Sequence, residues 1–179
     1  MTTIFQIENH QIFYKPKNIY QLTRENLKLT RETASELLES IPPERIEKIE
    51  NERSFPHPDE VLTMAEKYKK PDLCNYYCAN QCPIGQEYVP EIKIKDLSQI
   101  VLEMLASLNA MNKRKDRLIE ITADGKISDD ELEDFLYIQE ELERISITVE
   151  TLQLWAEKML AAGVIDEARY EAYRSRKKT

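Results

Sequence analysis

Residues 29–68 read LTRETASELLESIPPERIEKIENERSFPHPDEVLTMAEKY, and this stretch decides the fold of the N-terminal half. It holds two short amphipathic segments separated by a break at residues 40–42, and a third segment follows from Asp59. Two short helices around a tight break are the layout of a helix-turn-helix, which presents one helix to a groove of a duplex. The stretch therefore predicts DNA as the ligand.

Local signals predict where these helices begin and end. Asn18 and Thr30 are suitable N-caps, because their side chains can accept hydrogen bonds from the first helical turn. Pro42 and Pro43 stop one helix and suit the start of the next, where the missing N–H of proline costs nothing. The expected inward faces, helix by helix, are Ile19, Leu22 and Asn26; Ala34, Leu37 and Leu38; Ile46 and Ile49; and Val61, Leu62, Met64, Ala65 and Tyr68.

Length and composition indicate a helical protein that works in water. The chain has 179 residues, of which 41% are hydrophobic, 32% are charged and three are glycine. Its apolar runs are shorter than the roughly 18 residues of a membrane helix, and its polar start does not resemble a signal peptide. We therefore expect a cytoplasmic protein without a membrane partner. The net charge of −8 argues against binding nucleic acid through bulk positive charge, but not against a local basic surface.

We divide the chain into four regions and predict an all-α fold. Residues 1–17 form an extension in which two β-prone runs predict a small hairpin. Residues 18–73 form the helix-turn-helix domain, and residues 74–93, rich in Cys, Tyr, Asn and Pro, form a junction. Residues 94–179 form a long antiparallel helical hairpin, with a short last helix near Asp166 that buries Ala168 and Tyr173.

The hairpin prediction depends on two apolar series with alternating steps of three and four residues, which is the spacing of a coiled-coil seam. Gly125 is expected to end the first long helix, and Ser128 with Glu131 to cap the second. The seam could close within one chain or between two, so the region is predicted to serve homodimerisation or binding of a protein partner. The series are Leu97, Val101, Met104, Leu108 and Met111, then Phe135, Ile138, Leu142, Ile145, Val149, Leu152, Ala156 and Met159.

A family resemblance adds to this interpretation. The run Ile46-x-x-Ile49-Glu50-Asn51, with Pro56 five residues on and the segment 60–66 after it, resembles the lambda-repressor/Cro-like, or XRE-type, helix-turn-helix domain. The resemblance covers about residues 18–70. It implies a bundle of about five helices whose third helix lies in the major groove of double-stranded DNA, and a transcriptional regulator that binds as a dimer.

The resemblance also implies roles for individual residues. Arg31 would reach backbone or base from the start of the second helix. Exposed positions of the recognition helix would be Glu44, Arg45, Glu47 and Lys48, and the loop that touches phosphate would hold Asn51 and Arg53. Glu50 would be internal and bonded to backbone or to an arginine. Lys and Arg can donate to phosphate or guanine, whereas Glu can only accept, for example from a cytosine amine.

The acidity of this surface keeps a second function open. Glutamates outnumber the lysine and arginines between residues 39 and 53. The alternative is a protein-interaction adaptor that keeps the helix-turn-helix fold and does not bind DNA. An enzyme is not expected, because nucleotide-binding loops, nucleophile elbows and His-Glu-x-x-His are missing from the sequence.

All three cysteines, Cys74, Cys78 and Cys82, lie in one C-x3-C-x3-C run. In a reducing compartment this favours a metal site, zinc or iron–sulfur, or a redox-sensing pair over a structural disulfide. On one continuous helix Cys74 and Cys82 would lie about 12 Å apart, too far to share a zinc ion, so all three would need a broken helix. His57 or a partner's cysteine could supply a fourth ligand. The simpler reading is that the cysteines are small buried hydrophobes.

Overall fold

The computed structural model describes residues 16–176, and every regular element in that range is a helix. The β-hairpin predicted for residues 1–17 lies almost wholly outside the described residues. Lys177 and Lys178, near the C-terminus, also lie outside them. The helices are α1 (Ile19–Asn26), α2 (Arg31–Leu38), α3 (Pro43–Glu50), α4 (Pro58–Lys67), α5 (Asp72–Asn80), α6 (Pro83–Tyr88), α7 (Leu97–Thr122), α8 (Leu132–Ala161) and α9 (Glu167–Arg176).

The N-terminal helices surround one apolar core. The predicted caps are confirmed: Asn18 accepts a hydrogen bond from the Gln21 amide at 2.9 Å, and Thr30 accepts one from the Thr33 amide at 3.2 Å. Pro43 is the first residue of α3, as predicted. The buried cluster consists of Tyr20, Ala34, Leu38, Ile41, Ile46, Ile49, Val61, Met64, Ala65, Tyr68 and Leu73. We call α1–α5 the bundle.

Three leucines expected in this core are exposed instead. Leu22 is 45% exposed, Leu37 is 37% exposed and Leu62 is 62% exposed. In α1 the inward position belongs to Tyr20, whose hydroxyl donates to the Gln81 side chain at 2.8 Å. The expected inward face of α1 is therefore wrong at Leu22 and at Asn26, which is also exposed, because the Tyr20 ring fills the core instead.

Three bundle helices end in the same way, and the end is unusual. In α4 the Lys70 amide donates to the Ala65 carbonyl at 2.8 Å and the Lys69 amide to the Glu66 carbonyl at 3.1 Å, which is a Schellman motif. Lys69 takes the left-handed position of that motif at φ 52°, where glycine is usual. Lys28 after α1 and Glu52 after α3 do the same. Three helices of the bundle thus end with a residue other than glycine in the left-handed conformation, which strains the backbone at that residue.

The cysteine segment belongs to the bundle rather than to a junction. The expected boundary between residues 73 and 74 falls inside α5, which packs against α4. Leu73 is fully buried in the core, and Tyr76 and Tyr77 pack against it. The helix then breaks at Cys82, and α6 lies so close to α5 that a Cβ on Gly85 would meet the Cys78 carbonyl oxygen at 2.1 Å. The composition of residues 74–93 suggested a junction because this segment is polar. A few apolar side chains on α5 are nevertheless enough to pack that helix against the core.

The predicted long helix pair is present as α7 and α8, which pack together as an antiparallel hairpin. Asp134 near the start of α8 accepts hydrogen bonds from Arg114 at 2.8 Å and from Arg117 at 2.7 Å, both near the end of α7. The connection contains Gly125 at φ 69°, as expected. Ser128 donates to Glu131, also as expected, but α8 begins only at Leu132.

The hairpin seam differs from the predicted one. Leu142 is 50% exposed and Val149 is 40% exposed, whereas their neighbours Glu141 and Thr148 are buried. The contact line on α8 is thus shifted by one residue at these steps. The short helix α9 has no buried residue, and Tyr173 is 63% exposed, so its predicted burial is wrong. Within residues 16–176 no helix combines the length and apolar character needed to cross a membrane.

Candidate nucleic-acid interface

Helix α3 is fixed to the bundle along one side. Ile46 and Ile49 are 2% and 1% exposed. Near its C-terminal end, the Asn18 side chain of the α1 cap donates to the Ile49 carbonyl at 2.7 Å. Apolar burial at two points one turn apart, with a hydrogen bond at the end, sets the rotation of the helix and hence which residues point outward.

A buried ion cluster fastens the same end of α3. Glu50 is 4% exposed. It accepts from Arg24 Nε at 2.5 Å, from Arg24 Nη2 at 3.0 Å and from Arg31 Nε at 2.9 Å. The remaining Arg24 terminal nitrogen donates to the Leu29 carbonyl at 2.6 Å. The cluster joins α1, the start of α2 and the end of α3, and the hydrogen bonds that Arg24 donates to Glu50 raise the pKa of Arg24. The expectation that Glu50 is internal and bonded to an arginine agrees with this geometry.

The opposite side of α3 faces solvent. Glu44, Lys48 and Asn51 are exposed, and Glu47 is half-buried. Glu47 accepts from Asn51 at 3.2 Å and pairs with Arg53 at 3.5 Å. The side chain of Arg53 is 67% exposed. Five of the seven predicted contact residues thus form one continuous exposed or half-exposed strip along α3 and the loop after it, which we call the α3 strip.

The other two predicted contact residues are engaged within the protein. Arg31 keeps 33% of its side chain exposed but donates to Glu50. Arg45 donates to both carboxylate oxygens of Glu60, at 2.7 and 2.6 Å, to the Ser54 hydroxyl at 2.5 Å and to the Phe55 carbonyl at 2.9 Å. A two-point arginine–carboxylate contact is among the stronger polar interactions in proteins. Arg45 therefore fixes the loop between α3 and α4.

The start of α2 is already occupied by an acidic side chain. Hydrogen bonds from its own backbone N–H and from the Thr30 side chain lower the pKa of the exposed Glu32 carboxyl. A helix N-terminus attracts anions, including phosphate. Because Glu32 takes that position, a phosphate would have to displace it, and the positive charge near the strip comes mainly from Lys48 and Arg53.

The three cysteines lie close in sequence but not in a metal-like cluster. All are free and half-buried. Cys74 and Cys78 lie on α5, and Cys82 is the residue before α6. Among residues 16–176 no group of three His, Cys, Asp or Glu side chains is arranged to hold a metal ion. Burial raises the pKa of the Cys74 and Cys78 thiols, which disfavours the thiolate that metals and oxidants need. Zinc or iron–sulfur binding remains a prediction.

Sequence reasoning missed Arg24, the residue that organises the cluster. An arginine on the inward side of a short helix, beside Thr23 and one turn from Tyr20, is a detectable signal, because a buried guanidinium requires a buried carboxylate. It also missed an open cleft of about 820 Å³ where α4 and α5 meet the end of α8, lined in part by Leu62, Cys74 and Leu160.

No family model, no curated protein and no solved structure matches this chain.

Proposed function

We propose that this chain is a sequence-specific DNA-binding transcriptional regulator of the lambda-repressor/Cro-like, helix-turn-helix type. In this proposal α2 and α3 form the motif, and α3 enters the major groove of a duplex. The observation that carries it is the contrast between the two sides of α3. One side is held by Ile46, Ile49 and Glu50, and the other carries the α3 strip in solvent.

Each residue of the α3 strip has a role suited to its chemistry. Lys48 and Arg53 donate to phosphate or to guanine, and Asn51 can read an adenine edge. Glu47 is held by Asn51 and Arg53, so part of its charge is compensated before DNA arrives. Glu44 is exposed on α3 and would accept from a cytosine amine. A mixed strip of this kind binds weakly to phosphate in general and depends on the correct bases.

In this proposal Arg31 and Arg45 do not contact DNA but hold the contact residues in position. Arg31 steadies the C-terminal end of α3 through Glu50, and Arg45 steadies the following loop through Glu60. Binding energy is better used when the contacting residues are held in place before binding.

Mobility shift with genomic fragments across a salt series tests the proposal. The apparent affinity should depend on sequence and should fall linearly with salt concentration on logarithmic axes. Lys48→Glu should weaken binding at least about tenfold and reduce the magnitude of the salt slope by about one. Lys126→Glu makes the same charge change in the exposed loop between α7 and α8 and should leave both unchanged.

The adaptor is a second candidate because of the charge around the strip. Glu32 and Glu36 are exposed on α2, and Glu44 is exposed on α3. Such a surface repels phosphate and suits a basic protein partner. If the folded protein gave no mobility shift with DNA at low salt, the DNA-binding proposal would be contradicted and the adaptor function would be favoured.

A further inference from the structure

The first half of α7 is nearly free of charge. From Leu97 to Asn112 there are 16 residues and one charged side chain, Glu103, in a chain that is 32% charged. Glu103 is bound by the Lys95 ammonium at 2.8 and 2.7 Å. A helix with so little charge is normally covered by other parts of a protein. In this structure α8 covers only the side of α7 that carries Ile100 and Ser107.

Four uncovered apolar residues in the first half of α7 share one side, and Leu102, which is 68% exposed, lies outside that side. Leu97, Val101, Leu105 and Leu108 are 41%, 41%, 52% and 45% exposed. They are spaced by four, four and three residues, so they form one stripe along the helix. Val101 and Leu108 each come one position after a buried residue of the seam, so the stripe runs along the edge of the contact with α8.

Helix α8 extends this stripe into a surface. Leu142 and Val149 also come one position after buried seam residues, Glu141 and Thr148. In an antiparallel pair, one step beyond the seam turns by about 100° toward the same side of the hairpin on both helices. The ion pair of Arg117 with Asp134 sets the register. It places Val149 level with Val101, and Leu142 level with Leu108.

The other side of the hairpin is more polar. One position before the buried residues Ile100, Ser107, Glu141 and Thr148 stand Gln99, Ala106, Glu140 and Ile147. The one large apolar residue among these four, Ile147, is half-buried. The hairpin therefore has two different sides. We call the apolar one, made of Leu97, Val101, Leu105, Leu108, Leu142 and Val149, the hairpin face.

We infer that a second copy of this chain covers the hairpin face, by placing its own hairpin face against it around a two-fold axis. The product is a four-helix bundle made from two hairpins, with both hairpin faces in its core. The inference gives a pairing surface to the dimer that the family resemblance implies, and it is argued from α7 and α8 alone.

Charge favours a second copy over another partner. Each chain carries a net charge of −8, so two copies approach best through a surface without like charges. The hairpin face is such a surface, and two identical apolar faces are complementary to each other. A basic partner would be drawn instead to the acidic surface around α2 and α3.

The available area fits a dimer. The six side chains are 40–52% exposed. They leave on the order of 500 Å² of apolar surface per copy, so pairing two copies removes about 1,000 Å², the lower bound for a stable specific interface.

Molar mass of the full chain, measured by light scattering and sedimentation over a wide dilution series without DNA, tests the inference. We expect a species of twice 21.1 kDa that dissociates on dilution. The double variant Leu105→Ala and Leu108→Ala should raise the dimer dissociation constant by at least about tenfold. Alanine favours helix, so the hairpin itself should survive, with unchanged circular dichroism.

The matched control is Leu62→Ala, which shortens a 62% exposed leucine on α4 and should leave the dimer intact. A monomer at every concentration, or a dimer whose affinity the double variant does not change, would overturn the inference. A dimer with no affinity for DNA would support the pairing and contradict the proposed function. A monomer that binds an operator would support the proposed function and contradict the pairing.

Discussion

The bundle and the hairpin bury different kinds of side chain. The bundle core is one cluster of eleven apolar residues, with a paired Glu50 and Arg24 at its edge. The buried apolar residues of the hairpin are Ile100, Ile121, Ile138 and Leu154, and between them lie Ser107, Glu141, Thr148 and Thr151. The bundle therefore concentrates its apolar burial in one core. The hairpin buries less within the chain and keeps much of its apolar surface outside.

The two regions also stop their helices differently. The bundle uses Lys28, Glu52 and Lys69 in left-handed positions, whereas the hairpin uses Gly125 and Gly163. The bundle therefore contains backbone strain at three helix ends, which the burial of its core can offset. The glycines of the hairpin adopt the same conformation without this strain. Trp155 on α8, the sole tryptophan of the chain, allows the hairpin to be followed by fluorescence separately from the bundle.

The largest effect is expected from the bundle core. Ile46→Ala should lower the free energy of unfolding of the bundle by about 4 kcal/mol, because a fully buried side chain leaves a cavity. Urea unfolding followed by circular dichroism should show an early loss of helix, while the Trp155 transition stays in place. Leu62→Ala is the control and should change stability by less than about 0.5 kcal/mol. Joint movement of both signals would mean that the two regions fold as one unit.

A slightly smaller effect is expected from the buried ion cluster. Glu50→Ala should cost about 3 kcal/mol, since the Arg24 guanidinium, 7% exposed, would lose its carboxylate. Glu47→Ala, on the solvent side of α3, should cost little. Equal costs for the two variants in urea unfolding would show that the cluster does not hold α3.

The third prediction concerns acid. Burial raises the pKa of the Glu60 carboxyl, but hydrogen bonds from Arg45 and the His57 backbone outweigh it and leave the pKa below its ordinary value of 4.5. The folded pKa is the lower one, so the stabilisation is present above about pH 4.5 and is lost as pH falls through the folded pKa. Glu60→Gln should cost about 1 kcal/mol at neutral pH and nearly nothing in strong acid.

Unfolding midpoints in urea, measured from neutral pH down to acid, check this. Glu66→Gln is the control, because Glu66 lies exposed on the same helix. The same cost for Glu60→Gln at every pH would contradict the role of the Arg45 contact.

The smallest effect is a gain. Lys69→Gly should stabilise the bundle by up to about 1 kcal/mol, because glycine adopts the left-handed position at φ 52° without the steric cost of a Cβ. Lys67→Gly, two residues earlier and inside α4, should destabilise by a similar amount. Thermal melts of the pair measure the difference. A loss of stability in Lys69→Gly would mean that the lysine makes contacts that outweigh its strain.

Local chemistry made part of this fold predictable. Asn18, Thr30 and Pro43 mark helix starts because each acts on the nearest backbone N–H groups, whose positions follow from the sequence alone. Residues 135–159 predicted a long helix for the same reason, since periodicity is a local property. The internal position expected for Glu50 followed from the family resemblance and agrees with its burial.

Choices between neighbours were not predictable. At residues 141–142 and 148–149 of α8, the helical pattern alone does not decide which member of each pair faces α7. The fold buries Glu141 and Thr148, and it leaves Leu142 and Val149 outside. Arg45 was taken as a contact residue because α3 exposes that position, and only the fold brings Glu60 within its reach. Long-range partners of this kind are set by packing, which one sequence does not reveal.

The most direct test of the central claim is a nuclear magnetic resonance titration of the full chain with a duplex selected by mobility shift. If α3 enters the major groove, the backbone amide shifts should concentrate on residues 44–53 and on the start of α2, and those of α8 and α9 should stay in place. Shifts confined to the hairpin, or no shifts in α3 when the duplex is bound, would contradict the account.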